Sequence, residues 1–220
     1  MARIIRSRRR TVGLEISPQG ELVVRAPLYL PESEIQEAIR RHQKWVEKKL
    51  AEMEQRRQKI KPKSFVAGET FLYLGQEFPL ILRPQPKPSL AFNGRAFILS
   101  AGYQSRGKKL FEKLYRKMAR AYLSRRLEQL ASLNGFKFKK FRLSSARTRW
   151  GSCSVRGTIS LSWRLVMAPP EIIDYVIFHE LAHMKEKNHS RAFWALVARH
   201  VPDYQARRRW LKANGFLLFL

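Results

Sequence analysis

Residues 178–194 read FHELAHMKEKNHSRAFW and hold three of the chain's five histidines. His179 and His183 are four apart with Glu180 between them, and His189 follows six residues later. The residues leading in, PPEIIDYVI from Pro169, carry a helix start, because proline suits the first helical turn. Ile172, Ile173, Val176, Ile177 and Leu181 make the segment apolar over more than one face, which predicts a central helix reaching about Lys187. Positions four apart share a helix face, so His179 and His183 project together at the spacing that grips one Zn2+ through two imidazoles. Glu180, offset by one residue, is placed to take a proton from water activated by the metal rather than to bind the metal itself. A helix offers only two ligands at this geometry. His189, past a turn expected at Lys187-Asn188, can fold back to complete a three-histidine set, with Asp203 the next candidate should it not. Three unliganded imidazoles around an apolar helix would each need another partner. The expectation is one zinc per chain on His179, His183 and His189, with Glu180 as catalytic base.

Upstream of this helix, TISLSWRL (158–165) alternates through Ile159, Leu161, Trp163 and Leu165 and predicts a strand, as does FKFKKFRLSS (136–145). A long basic helix is predicted over 106–133 through Leu110, Leu114, Met118, Leu123, Leu127 and Leu130, stopped by Asn134-Gly135. Strands are expected between Phe65 and Ser100, with Asn93-Gly94 as a hairpin turn. Residues 10–26 read as a hairpin around Ser17-Pro18-Gln19-Gly20. Residues 31–55 read as one helix, with Pro31 at its entrance and Ser33 and Gln36 at capping-box spacing. Ile35, Ile39, His42 and Val46 share a face there, which makes His42 a core or boundary residue and not a ligand. The polar KIKPKS (59–64) ends that unit, and further helices are separated by breaks near Asn188, Pro202 and Gly215. The fold class expected is α+β, with an N-terminal β-rich region carrying one helix at 1–103 and a catalytic domain at 104–220.

The 220 residues carry 44 Lys+Arg against 17 Asp+Glu, a formal charge of +27 that attracts polyanions. Between residues 104 and 149 there are fifteen Lys/Arg against Glu112 and Glu128. Nucleic acid, nucleotides and anionic membrane surfaces all fit such a charge, and composition alone does not choose among them; nucleic acid or nucleotide is the partner expected. One cysteine excludes an intrachain disulfide, and the Arg-rich start MARIIRSRRR has no apolar signal core. No stretch is apolar enough for a membrane span. The location expected is cytoplasmic, an Arg-rich organelle transit peptide being the weaker reading of the start.

The blocks RTRWGSC (147–153) and HELAH…NHS..FW (179–194) closely resemble those of the YgjP-like metallopeptidases, predicted metal-dependent hydrolases similar in turn to SprT-like and WLM zincins. Those groups share HExxH, a later His and an aromatic four residues beyond it, here His179, Glu180, His183, His189 and Phe193. The paired strands and KWVEKKL of the front also look like this family, so the resemblance covers nearly the whole chain. It implies a zincin-like fold, a metal cofactor and a peptide or protein substrate. The histidine spacing is also that of metzincins, but Glu186 stands where their turn glycine belongs and Met184, inside the helix, is no methionine-turn residue.

Cys153 invites a thiol reading, but no base can be placed beside it, and a packed small residue on a strand near the active helix is the preferred one. Arg149 and Tyr204 are two candidates for an oxyanion donor, each equally readable as structural. Trp150, Trp163 and Trp194 read as core around the site. The leading function is a zinc-dependent metallopeptidase, with TISLSWRL offering an edge to extended substrate. A metal-dependent nucleoside triphosphate pyrophosphohydrolase is the alternative, although no Gly-rich phosphate cradle is present. A nucleic-acid-binding protein with a vestigial metal site is a third reading, resting on charge alone.

Overall fold

The computed structural model describes residues 2–17, 20–59, 62–85 and 87–220. The chain divides into two compact units, Met1–Lys61 and Pro62–Leu220. In the first, β1 (Arg3–Ser7), β2 (Gly13–Ile16) and β3 (Leu22–Pro27) form a sheet in the order β1-β3-β2. β2 and β3 make the expected antiparallel hairpin, with Leu14 opposite Val24, while β1 adds in parallel on the other side. Pro18 and Gln19 of the expected turn lie outside the described residues, as do Ile60 and Lys61 of KIKPKS.

The single helix expected at 31–55 is two: α1 (Glu32–Arg41) and α2 (Gln43–Lys59). They are separated by His42, whose backbone leaves the helical region at φ −106° and ψ 13°. The break interrupts the apolar stripe. Ile35 and Val46 are buried, and Val24, Ala26 and Ile35 form the unit's small core, but His42 is exposed rather than core or boundary. The capping box does not form either. Pro31 occupies the cap position, Ser33 is already inside the first turn, and no side chain caps the helix.

The second unit opens with β4 (Thr70–Tyr73), β5 (Gln76–Arg83), β6 (Leu90–Phe92) and β7 (Phe97–Ser100) in the order β4-β5-β7-β6. The Asn93 side chain accepts hydrogen bonds from the N–H groups of Arg95 and Ala96 and closes the β6–β7 hairpin. A boundary drawn at 103/104 would cut through a single core. Phe71 of β4 stacks on Phe111 of α3 (Gly107–Leu133) at 4.0 Å, and the Tyr115 hydroxyl donates to the Leu72 carbonyl at 2.6 Å. The compact units therefore part between Lys61 and Pro62. Along α3 the buried stripe runs through Phe111, Tyr115, Ala119, Leu123 and Leu127. In its first half this lies one residue beyond the expected Leu110, Leu114 and Met118, which are only half-buried, because the aromatic rings take the interior.

β8 (Lys140–Ser144), β9 (Gly151–Cys153) and β10 (Thr158–Ser162) form the second sheet of this unit, ordered β8-β10-β9. α4 (Pro170–Ala182) is the central helix, with nine buried residues between Ile172 and Ala182. A two-pronged ion pair from Arg126 to Asp174, both contacts 2.7 Å, ties α3 to α4. α5 (Arg191–His200) and α6 (Tyr204–Asn214) complete the unit, and Ser190 caps α5 by accepting from the Phe193 N–H. The fold is α+β. Among the described residues no helix is long and apolar enough to cross a membrane.

Candidate metal centre

α4 ends at Ala182, and His183 follows as its C-cap with φ −63° and ψ −14°. Because that backbone is still helical, His183 keeps the face of His179, and their rings meet edge-on at 5.0 Å. His189 comes back from the loop before α5, placing its ring 4.9 Å from that of His179 and 4.8 Å from that of His183. One nitrogen from each of the three lies within 4.8 Å of the others, and the Nε2 atoms of His179 and His189 are 3.0 Å apart. Tetrahedral coordination with metal–nitrogen bonds of about 2.0–2.1 Å requires nitrogen separations of roughly 3.3 Å, so small ring movements reach it.

The protonation pattern suits a cation. His183 Nδ1 lies 3.1 Å from the Glu186 carbonyl, an acceptor, so the proton belongs on Nδ1 and the Nε2 lone pair is free for a metal. Burial, then the neighbouring His183, His189 and Arg208, push His179 down to about 4, which keeps this ring neutral at neutral pH. The residues fit a divalent metal.

Packing holds the rings. Phe193, fully buried on α5, touches His179, His183 and His189 with centroid distances of 5.0, 4.5 and 4.7 Å. Trp194 stacks on His189 at 5.6 Å, and Tyr204 stacks on Trp194 at 5.1 Å. The Arg208 guanidinium lies over the Trp194 ring at 5.2 Å. Asp203 is exposed and paired with Arg207 at 2.9 Å, away from the three histidines as a ligand set.

Glu180 is buried on the same helix and lies against β9. Burial raises its carboxyl to about 7, with Arg149 pulling in the opposite direction. A cleft of about 390 Å3 joins Glu180 and the three histidines to Lys187 and to residues 151–155. β9 pairs with β10 along one edge only. The expected edge strand, β10, is instead the centre of its sheet, and the free edge beside the cleft belongs to β9.

Cys153 is half-buried on β9 with its sulfur 3.4 Å from that of Met184, and burial raises its thiol, the direction that disfavours a thiolate. Arg149 is exposed just before β9 and acts on Glu180 through charge, whereas Tyr204 is engaged in the stack on Trp194. Trp163 is fully buried, while Trp150 and Trp194 are half-buried. Sequence reasoning missed two features, the approach of Glu180 to Gly151 and the stack behind His189. The first had a signal, since glycine inside a strand marks a close approach. The second had none, because Trp194 and Tyr204 meet only across α5 and α6.

The family model described as "YgjP-like, metallopeptidase domain" matches residues 10–214. A protein of Escherichia coli K12 named UTP pyrophosphatase is 31% identical over 70 residues, which is 30% of this chain and 42% of that protein's length. The crystal structure of the metallopeptidase zymogen of Pyrococcus abyssi abylysin aligns with a TM-score of 0.37 at 25% identity, over 41% of this chain and 92% of that one.

Proposed function

The chain belongs to the YgjP-like metallopeptidase family, and from that premise we propose that it is a zinc-dependent peptidase acting through His179, His183, His189 and Glu180. The observation that carries this reading is the convergence of three imidazoles and one buried carboxylate beside the open edge of β9. Zinc held by the three histidines supplies Lewis acidity, lowering the pKa of water from about 15.7 toward about 7 and polarising a carbonyl. Glu180 takes a proton from the attacking water on its carboxylate and returns it to the leaving amine nitrogen. Burial raises this carboxyl, the direction that helps it hold the proton between the two steps. β9 offers unpaired main-chain groups to an extended polypeptide, which would add as a further strand.

The test is turnover of unfolded protein and peptide panels by purified, zinc-loaded protein, with chelation and zinc restoration as controls. Loss on chelation and recovery with zinc supports the reading. The E. coli relative named UTP pyrophosphatase favours a second substrate class at the same centre, a nucleoside triphosphate cleaved at a phosphoanhydride. Pyrophosphate release from nucleoside triphosphates without peptide cleavage would replace the first reading by the second. Absence of both activities in metal-loaded protein would leave the nucleic-acid-binding reading with a vestigial metal site.

A further inference from the structure

The sheet β8-β10-β9 has two unlike faces. Phe141, Leu143, Ile159 and Leu161 lie on the apolar one. On the other, Arg142, Ser160 and Ser152 stand in register across all three strands, with Lys140 opposite Thr158 in the next row. Beyond the end of β9, the Ser154 hydroxyl accepts a hydrogen bond from the Thr158 N–H at 3.0 Å, which folds Ser154 back onto the same face. A concavity of about 640 Å3 opens here, lined by these four hydroxyl residues, Arg142 and Arg156, with Cys153 and Val155. It contains no carboxylate and no aromatic ring. Neither Arg142 nor Arg156 has an acidic partner among the described residues.

Guanidinium groups beside hydroxyls, with no acid nearby, match phosphate oxygens. The surrounding charge indicates a polymeric anion rather than a single phosphate. Residues 62–220 carry 29 Lys/Arg against nine Asp/Glu. On α3, which packs against β8, Lys109, Lys113, Arg116, Lys117 and Arg120 form one exposed stripe, none of them in an ion pair among the described residues. At 1.5 Å per residue this stripe is about 16 Å long, more than one phosphate group needs. Phe111 and Tyr115 between these cations are buried and Leu110, Leu114 and Met118 are half-buried, so the stripe presents no fully exposed apolar insertion face of the kind a membrane-surface helix uses. The absence of aromatic rings from the concavity removes base stacking and leaves the backbone as the recognised element.

We propose that the hydroxyl-lined face of this sheet, with Arg142 and Arg156, binds the phosphate backbone of a nucleic acid without reading its sequence. Residues 152–155 line both this concavity and the metal cleft. A bound strand would therefore lie next to the candidate catalytic centre, sharing residues 152–155 with its cleft. The assignment is independent of which bond that centre cleaves.

The experiment titrates labelled single- and double-stranded DNA and RNA oligonucleotides into full-length, metal-loaded protein at about 50 and 200 mM salt. Binding at the lower salt that weakens steeply at the higher one is expected. The R142E/R156E variant is expected to bind at least about tenfold more weakly, with a salt slope reduced by about two and metal content unchanged. If that variant fails to retain metal, R142Q/R156Q is read in its place. Absence of binding at about 50 mM salt, or wild-type affinity in the variant that keeps metal, overturns the proposal. So does displacement of the oligonucleotide by a nucleoside triphosphate at equal phosphate concentration, which would assign the site to a small ligand. Equal binding of phosphatidylserine vesicles through the same two arginines would overturn it as well.

Discussion

Glu180 occupies the space that a side chain at Gly151 would need. A β-carbon built there would lie 2.6 Å from Glu180 Cγ and 2.7 Å from its Cδ, well inside contact distance. The backbone of Gly151 is not in the left-handed region, so the demand for glycine is steric alone. Gly151→Ala must therefore push Glu180 out of its place or move β9, and overpacking of this kind typically costs about 1–3 kcal/mol. Residue 151 is not one of the three proposed ligands, so metal content is expected to stay at one per chain while turnover falls by about tenfold or more. Elemental analysis beside steady-state kinetics checks this. An active Gly151→Ala protein would mean that the carboxylate has room to spare.

Glu180→Gln preserves shape and removes the proposed base. Metal stoichiometry is expected to be unchanged, and hydrolysis to drop by about 10²–10⁴-fold, the usual worth of a positioned general base. The loss should lie in kcat, because proton transfer belongs to the transition state. Activity within about threefold of the parent protein would remove Glu180 from that role.

His189→Ala tests the third ligand. His189 is the one member of the set outside α4 and its cap, and it is exposed, so its removal should leave the fold intact. Metal affinity is expected to fall by at least about 100-fold, with the far-ultraviolet circular dichroism spectrum unchanged. Asp203 cannot readily replace it while paired with Arg207 at 2.9 Å. Retention of metal at unchanged affinity by the variant would refute the three-histidine assignment.

The divide between legible and illegible features is one of range in sequence. His179, Glu180 and His183 lie within five residues, and a helix fixes their relative placement, so the local pattern was sufficient. His189 was readable because a turn could bring it back over six residues. Contacts between distant segments were not readable. The approach of β9 to α4, the central position of β10 and the stacking of Phe71 on Phe111 depend on strand order and packing that no local periodicity encodes. His42 shows the converse error. Its spacing fits an apolar face, but one non-helical residue breaks the helix and turns that position to solvent.

His183 and His189 are oriented by different means. His183 has a carbonyl at its Nδ1, the usual means of fixing a metal-ligating ring. For His189 no such Nδ1 bond is found among the described residues, and its ring instead lies on Trp194 with an interplanar angle of 21°. Tyr204 continues the stack at 17°, and Arg208 sits over the indole at 5.2 Å. Stacking of this kind restricts ring tilt without occupying Nε2, so Trp194 is expected to act as a positioning residue. Trp194→Ala is expected to weaken metal binding by about 10–100-fold, the range for loss of an orienting partner, whereas Trp194→Phe keeps a flat ring and should restore most of it. Competition for metal against a chromophoric chelator measures both variants. A general packing defect would lower thermal stability in both without separating their affinities, so equal metal affinity for the two would show that Trp194 does not orient the ligand.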